Sequence, residues 1–134
     1  LRAAAVVMSS RGLRVGALPS LTIRGARFTA RSKGKDIAGE LPPKVLEAIR
    51  AAGLDPKRPF ADLTETKIAD RFRFVSGKLA ESGAIAEAYS VHDLRHFYAV
   101  HEYRKDKDLL RVRALLHHAS VQVTETYLRG IGEL

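Results

Sequence analysis

The chain has 134 residues, is 46% hydrophobic and carries a formal net charge of +8, which suits one packed domain and is too short for two. It contains no cysteine, which excludes a disulfide framework, a thiolate metal site and a cysteine nucleophile. No stretch approaches the ~20 apolar residues of a membrane-spanning helix, so a soluble domain with no membrane partner is expected.

The elements can be taken in chain order. LRAAAVVM lacks an initial Met and runs into Arg11 and Arg14, so it reads as a helix over 2–10 cut from a longer chain rather than as a signal peptide, with its end at Gly12. Arg14 follows in LRVGAL, in or beside a turn. LTI, RFTAR and DIAGEL are short β-prone runs, separated by RGA and SKGK. They predict a small antiparallel sheet with a tight turn at Lys33 and Gly34. Pro42 and Pro43 open a helix whose Val45, Leu46 and Ile49 share a face, and it ends near Gly53. DPKRPF is a loop. From Thr64, Ile68, Phe72, Val75 and Leu79 form a helical stripe expected in the core, ending around Gly83. Three further helices are expected at about 91–104, 108–117 and 120–129, with breaks at KDKD and HHAS.

Charge is distributed unevenly along these elements. Residues 1–35 hold Arg2, Arg11, Arg14, Arg24, Arg27, Arg31, Lys33 and Lys35 and no carboxylate, whereas residues 36–134 hold 15 basic and 15 acidic groups. A polyanion is the partner that relieves such self-repulsion, and duplex nucleic acid is the best fit. A basic face kept for solubility is the alternative. An anionic membrane suits it less, because these cations lie among Gly, Pro and Thr rather than along one amphipathic helix.

Ser90 and Asp93 form an S-x-x-D signature that makes Ser90 the N-cap of the next helix and His92 its second residue. The positive helix end disfavours imidazolium and holds His92 neutral near pH 7, the state of a general base. On a helical wheel Leu94, Phe97, Tyr98 and His101 are expected to face the core, and His92, Arg95 and His96 to face a ligand or solvent. In the last helix Val121, Thr124 and Leu128 share a face and Tyr127 stands about 100° from Leu128. His118 precedes the N-cap candidate Ser120, beside free amides. Taken singly, each of these residues is equally a packing or surface residue.

Together, Arg14 in GLRVGAL, Lys33 in RSKGK, His92 and Arg95 in HDLRH, His118 in LLHHAS and Tyr127 nine residues later form an ordered series. It resembles the catalytic domain of the tyrosine recombinases, the phage integrase family, over nearly the whole chain. The resemblance implies a mixed α/β, mainly α-helical fold with a small antiparallel sheet in the N-terminal third, spanning 1–134 without the family's separate N-terminal core-binding domain. It further implies DNA strand cleavage and rejoining through a 3′-phosphotyrosyl intermediate, without ATP, cofactor or metal. Tyr127 would be the nucleophile, Arg14 and Arg95 the phosphate clamp, and Lys33 the general acid with Lys35 in reserve. His92 would manage the tyrosine proton, and His118 would bond the phosphate. Arg11, Arg24, Arg27, Arg31, Lys35 and His96 are the DNA-binding candidates.

The family assembles as a tetramer on two duplexes, and the isolated domain is expected to be monomeric. A cytoplasmic location and a bacterial, phage or mobile-element origin follow from the same resemblance. Two departures stand out: Ala17 replaces the acidic residue usual three positions after the arginine, and His117 replaces a glycine. A DNA-binding module of this fold without cleavage is the alternative function, and a basic helical interaction domain unrelated to nucleic acid is another. The adjacent histidines point apart on one turn and do not suit a metal.

Overall fold

Ala3, Ala4, Val7 and Met8 recur at spacings of one, three and one, and they are the buried side of helix α1 (Arg2–Arg11). A computed structural model describes residues 1–116, 121–130 and 132, and within 121–130 the side chains of 125, 126 and 128–130. Gly12 closes α1 in the left-handed region at φ 66°, its N–H donating to the Met8 carbonyl at 2.8 Å. This is the common glycine stop. A Cβ at this position would lie 2.3 Å from Tyr98 Cδ1, so glycine is required both for its dihedral and for the approach of the ring. The chain then enters a short 3-10 helix, Val15–Ser20, with Arg14 extended at its N-cap.

The three β-prone runs form strands β1 (Thr22–Arg24), β2 (Arg27–Ser32) and β3 (Lys35–Glu40), an antiparallel sheet in the order β1-β2-β3. Arg24 pairs with Arg27 and Ser32 with Lys35, so both connections are two-residue turns. Lys33 and Gly34 both take positive φ, 50° and 75°, the pattern that matches the right-handed twist of a hairpin. Period-two alternation sends Ile23, Phe28, Ala30 and Ile37 inward and Arg24, Arg27, Thr29 and Arg31 outward. Ser20 Oγ accepts the Arg31 N–H at 2.8 Å, which fastens the hairpin to the 3-10 helix.

Helix α2 (Pro43–Ala51) starts at its prolines and buries Val45 and Ile49. Helix α3 (Glu65–Glu81) is capped by Thr64, whose Oγ1 accepts the Lys67 N–H at 3.1 Å. Its expected core stripe is only half realised. Ile68 is buried, Phe72 and Val75 are half-buried, and Leu79 is 42% exposed. The first turns of α3 pack on the 3-10 helix, whereas near its end the buried residue is Ser76, whose Oγ accepts the Tyr89 N–H at 2.5 Å. Helix α4 (Val91–Asp106), α5 (Leu109–Leu116) and α6 (Val121–Gly130) follow as expected to within a few residues, while the HHAS break lies outside the described residues.

Two apolar clusters result. The larger joins α1, the 3-10 helix, the sheet and α2 with Phe60 and Ile68. The smaller joins α4, α5 and α6 through Tyr98, Ala99, Tyr103, Val112, Leu116 and Leu128. Arg111 locks the α4–α5 corner: its Nε donates to Asp106 at 2.7 Å, and its two terminal nitrogens donate to the Glu102 carboxylate at 2.8 Å and the Glu102 carbonyl at 2.5 Å. Burial raises the Glu102 pKa, but hydrogen bonds from Arg111 and Lys105 outweigh it and hold the carboxyl below its ordinary value.

The two-fold demand on Gly12 can be separated by comparison with Gly53, which has φ 70° but no atom within 4 Å of a built Cβ. Gly53→Ala should cost about 1–2 kcal/mol from the left-handed backbone alone. Gly12→Ala should cost a further ~1–3 kcal/mol for the clash with Tyr98. Urea unfolding of the two variants measures the difference, and equal losses would contradict the steric part.

Candidate active site

Helix α4 places most of the candidate site, and its orientation differs from the sequence expectation. Phe97 is 65% exposed and His101 is exposed, their rings stacked with centroids 6.4 Å apart. Arg95, expected to face ligand or solvent, is 4% exposed. At about 100° per residue, Arg95 lies at the middle of the arc formed by Val91, Leu94, Tyr98, Ala99, Glu102 and Tyr103, and it is this arc that turns inward. The wheel gives relative phase; a charged group at the centre of the apolar arc is tolerated because carbonyls meet it. One terminal nitrogen of Arg95 donates to the Gly12 carbonyl at 2.5 Å and the other to the Leu116 carbonyl at 2.6 Å. Charge-assisted bonds of this kind offset the desolvation of a buried guanidinium.

His92 and His96 lie together at one edge of this arc, their rings edge to face at 5.3 Å. The Ser90 N–H donates to the Asp93 carboxylate at 2.7 Å, so the expected capping box forms and His92 does occupy the second helical position. His92 is exposed, as expected, but partial desolvation lowers its pKa below the ordinary 6.5, and the positive neighbours His96, Arg95 and Arg14 lower it further against the opposing pull of Asp93. His92 is therefore largely neutral at pH 7. His96 Nδ1 lies 3.7 Å from the Asp93 carboxylate.

Arg14 reaches the same place from the other side of Gly12. It is half-buried, close enough to act on His92, and its guanidinium has no ion-pair partner among the described residues. Arg14, His92 and Arg95 are thus brought together. Lys33 and Lys35 are exposed at the hairpin tip, and Lys33 has no side-chain partner among the described residues.

The remaining basic candidates divide by environment. Arg24 and Arg27 are exposed on the outer face of the sheet. Arg31 shares that face but is bonded to Asp36 at 3.1 Å. Arg11 lies on the inner side, over the Phe28 ring at 5.7 Å and against Gly39, with its Nε buried. His118 and His117 lie outside the described residues. Tyr127 lies in α6, next to Leu128, which is fully buried in the smaller cluster.

Sequence reasoning missed two contributors. The Gly12 and Leu116 carbonyls carry no side-chain signature, so nothing in the sequence pointed to them. Glu65, at the start of α3, brings a carboxylate oxygen to 2.5 Å from where a Gly16 Cβ would stand. It therefore reaches the 3-10 helix in which Ala17, fully buried, offers no acid. Its only sequence signal was an acidic residue in the first turn of a capped helix. Among the described residues no cluster of three His, Asp or Glu is arranged to hold a metal ion, and no helix is long and apolar enough to cross a membrane.

The His92 environment makes a titration prediction. Its folded-state pKa lies below the unfolded value, so the unfolded chain takes up the proton first and His92 disfavours folding as pH falls below 6.5. Imidazole NMR shifts should give a His92 midpoint below 6.5 that rises in Arg14→Ala without reaching the ordinary value, because partial desolvation persists. A midpoint at or above 6.5 in the unaltered protein would contradict this arrangement.

No family model matches the chain. Two curated sequences do, each a tyrosine recombinase XerD, from Brucella suis biovar 1 and Brucella melitensis biotype 1. Each is 36% identical over 61 residues, which is 46% of this chain and 20% of the relative. Among solved structures, XerA recombinase superposes with a TM-score of 0.71 at 24% identity, covering 96% of this chain and 54% of that one. A lambda integrase (75–356) dimer bound to a COC′ core site gives 0.69 at 16% identity, over 99% and 53%. XerH recombinase bound to its difH substrate gives 0.66 at 21%, over 94% and 41%. The chain thus spans a fifth of its curated relatives and about half of these solved chains. It has the fold of these recombinase and integrase chains, and over 61 residues it is similar in sequence to XerD.

Proposed function

We propose that the protein binds duplex DNA and acts in site-specific recombination, cleaving one strand through Tyr127 and rejoining it without ATP. The observation that carries this reading is the convergence of Arg14, buried Arg95 and neutral His92. The solved XerH and lambda integrase structures, which share the fold, contain DNA sites. Phosphodiester cleavage needs a nucleophile, charge relief on the non-bridging oxygens and a proton for the leaving group.

In this reading the Tyr127 hydroxyl attacks the scissile phosphorus and passes its proton to neutral His92. The phosphorus–O5′ bond breaks, Lys33 protonates the departing oxygen, and a 3′-phosphotyrosyl ester remains. A free 5′ hydroxyl reverses the step, so the bond energy is conserved. Arg14 and Arg95 meet the non-bridging oxygens as planar, permanently charged forks. His118 donates to the same phosphate. The Glu65 carboxylate beside Gly16 supplies the acid that position 17 lacks.

A second reading is supported by Ala17: a DNA-binding module of the same fold that does not cleave. Nicked suicide substrates separate the two. An SDS-resistant protein–DNA adduct is expected, and it should disappear in Tyr127→Phe while DNA binding persists. A folded, DNA-binding protein that forms no adduct on any half-site would favour the non-cleaving module.

The hairpin tip permits a second test. Lys33 holds a left-handed conformation at φ 50°, whereas Asn-Gly is the preferred sequence of such a turn. Lys33→Asn should raise stability by up to ~1 kcal/mol while abolishing adduct formation. A variant that is more stable and still forms adduct at the normal rate would remove Lys33 from the mechanism and leave Lys35 as the candidate acid.

A further inference from the structure

Away from the candidate active site, a groove of about 1010 Å³ runs between β1, α2 and the loop 54–58. Ile23 and Ile49 are buried in its floor, and Leu46 and Leu54 are half-buried beside them. Arg24, Lys57 and Arg58 stand exposed around it. Arg50 also reaches the rim but is bonded to Glu47 at 2.5 Å. Among the described residues Arg24 and Lys57 have no ion-pair partner, and Arg58 makes only a 3.5 Å contact to the Pro19 carbonyl.

Three features restrict what this groove can hold. The Ile23 N–H already donates to the Lys57 carbonyl at 2.8 Å, so the outer edge of β1 is closed to an added strand and recognition must use side chains. Its volume stands at the upper limit of the roughly 300–1,000 Å³ usual for small-molecule pockets. A DNA backbone is met by cations and polar groups, and it would leave the half-buried Leu46 and Leu54 uncovered. Moreover, the six residues of β2 separate this end of the sheet from the Lys33 turn, a distance of roughly 15–20 Å at ~3.3 Å per residue.

We propose that the groove is a docking site for an acidic amphipathic helix of a partner protein. Aliphatic side chains at i, i+3 or i+4, and i+7 would lie on the half-buried Leu46 and Leu54 above the floor of Ile23 and Ile49, and carboxylates along their flanks would meet Arg24, Lys57 and Arg58. The site shares no residue with the cleavage chemistry, so its test stands or falls independently of the Tyr127 reading.

The probe is a fluorescein-labelled helical peptide with leucines at that spacing flanked by glutamates, and its control is the same peptide with lysines in their place. Anisotropy with the unaltered protein should show saturable binding of the glutamate peptide alone, undisturbed by excess unlabelled duplex DNA. Lys57→Glu/Arg58→Glu alters only exposed side chains and should weaken binding at least about tenfold, with an unchanged thermal midpoint confirming the fold. On titration, amide NMR shifts should move at Gly25, Leu46, Leu54 and Lys57. No binding, equal binding of both peptides, unchanged affinity in the variant or shifts confined to other elements would each overturn the proposal. Displacement by duplex DNA would overturn it in favour of a nucleic-acid groove.

Discussion

The Arg95 guanidinium, 4% exposed, ties the end of α1, the body of α4 and the end of α5 to one group. Hydrogen bonds to a charged group typically contribute about 1.5–3 kcal/mol each, so the three segments are strongly coupled through it. The coupling sets the site. Gly12 stands two residues before Arg14, and Leu116 ends the helix from which the chain proceeds to α6 and Tyr127. The residue that holds the architecture is therefore also the one the proposed chemistry needs beside the phosphate. Two of its nitrogens are engaged by carbonyls rather than by solvent, so the fold itself defines its position.

Gly12 and Tyr98 complete that arrangement. The ring of Tyr98 lies where a Cβ on residue 12 would be, and the same ring belongs to the smaller apolar cluster that buries Leu128. A contact at the end of α1 is thereby continuous, through packed side chains, with the residue adjacent to Tyr127. The Arg111 bonds to Glu102 and Asp106 fix the other end of α5. Together they give α5 a defined place at both of its ends.

The basic character of the chain proves to be several different things. Arg95 is buried, Arg11 is half-buried against the Phe28 ring, and Arg31, Arg50 and Arg111 are committed to carboxylates. Arg14, Lys33, Arg24 and Lys57 have no ion-pair partner among the described residues. These four occupy two places: the candidate active site with its hairpin tip, and the groove beside β1. Net charge by itself could not make that division, because an arginine in a fork of carbonyls and one on a sheet face contribute equally to +8.

Much was legible from local pattern. Gly12 as a helix stop, the Lys33-Gly34 hairpin, Thr64 as a helix start and Ser90 as an N-cap all depend on dihedrals and short-range bonds, which a few neighbouring residues specify. The ordered series of Arg14, Lys33, His92, Arg95 and Tyr127 was also visible, since motif spacing is a property of the chain. What could not be read was which side of α4 faces inward and how far the core extends along α3. Helical periodicity supplies the phase of side chains relative to one another but no external reference direction. For α4 that reference came from backbone carbonyls 83 and 21 residues away from Arg95 in sequence. Phe97 is outside and Arg95 inside for that reason. The sequence by itself determined the local elements and the order of the chemical groups; only the tertiary structure decided which of those groups are buried, because burial depends on hydrogen-bond partners supplied by distant backbone.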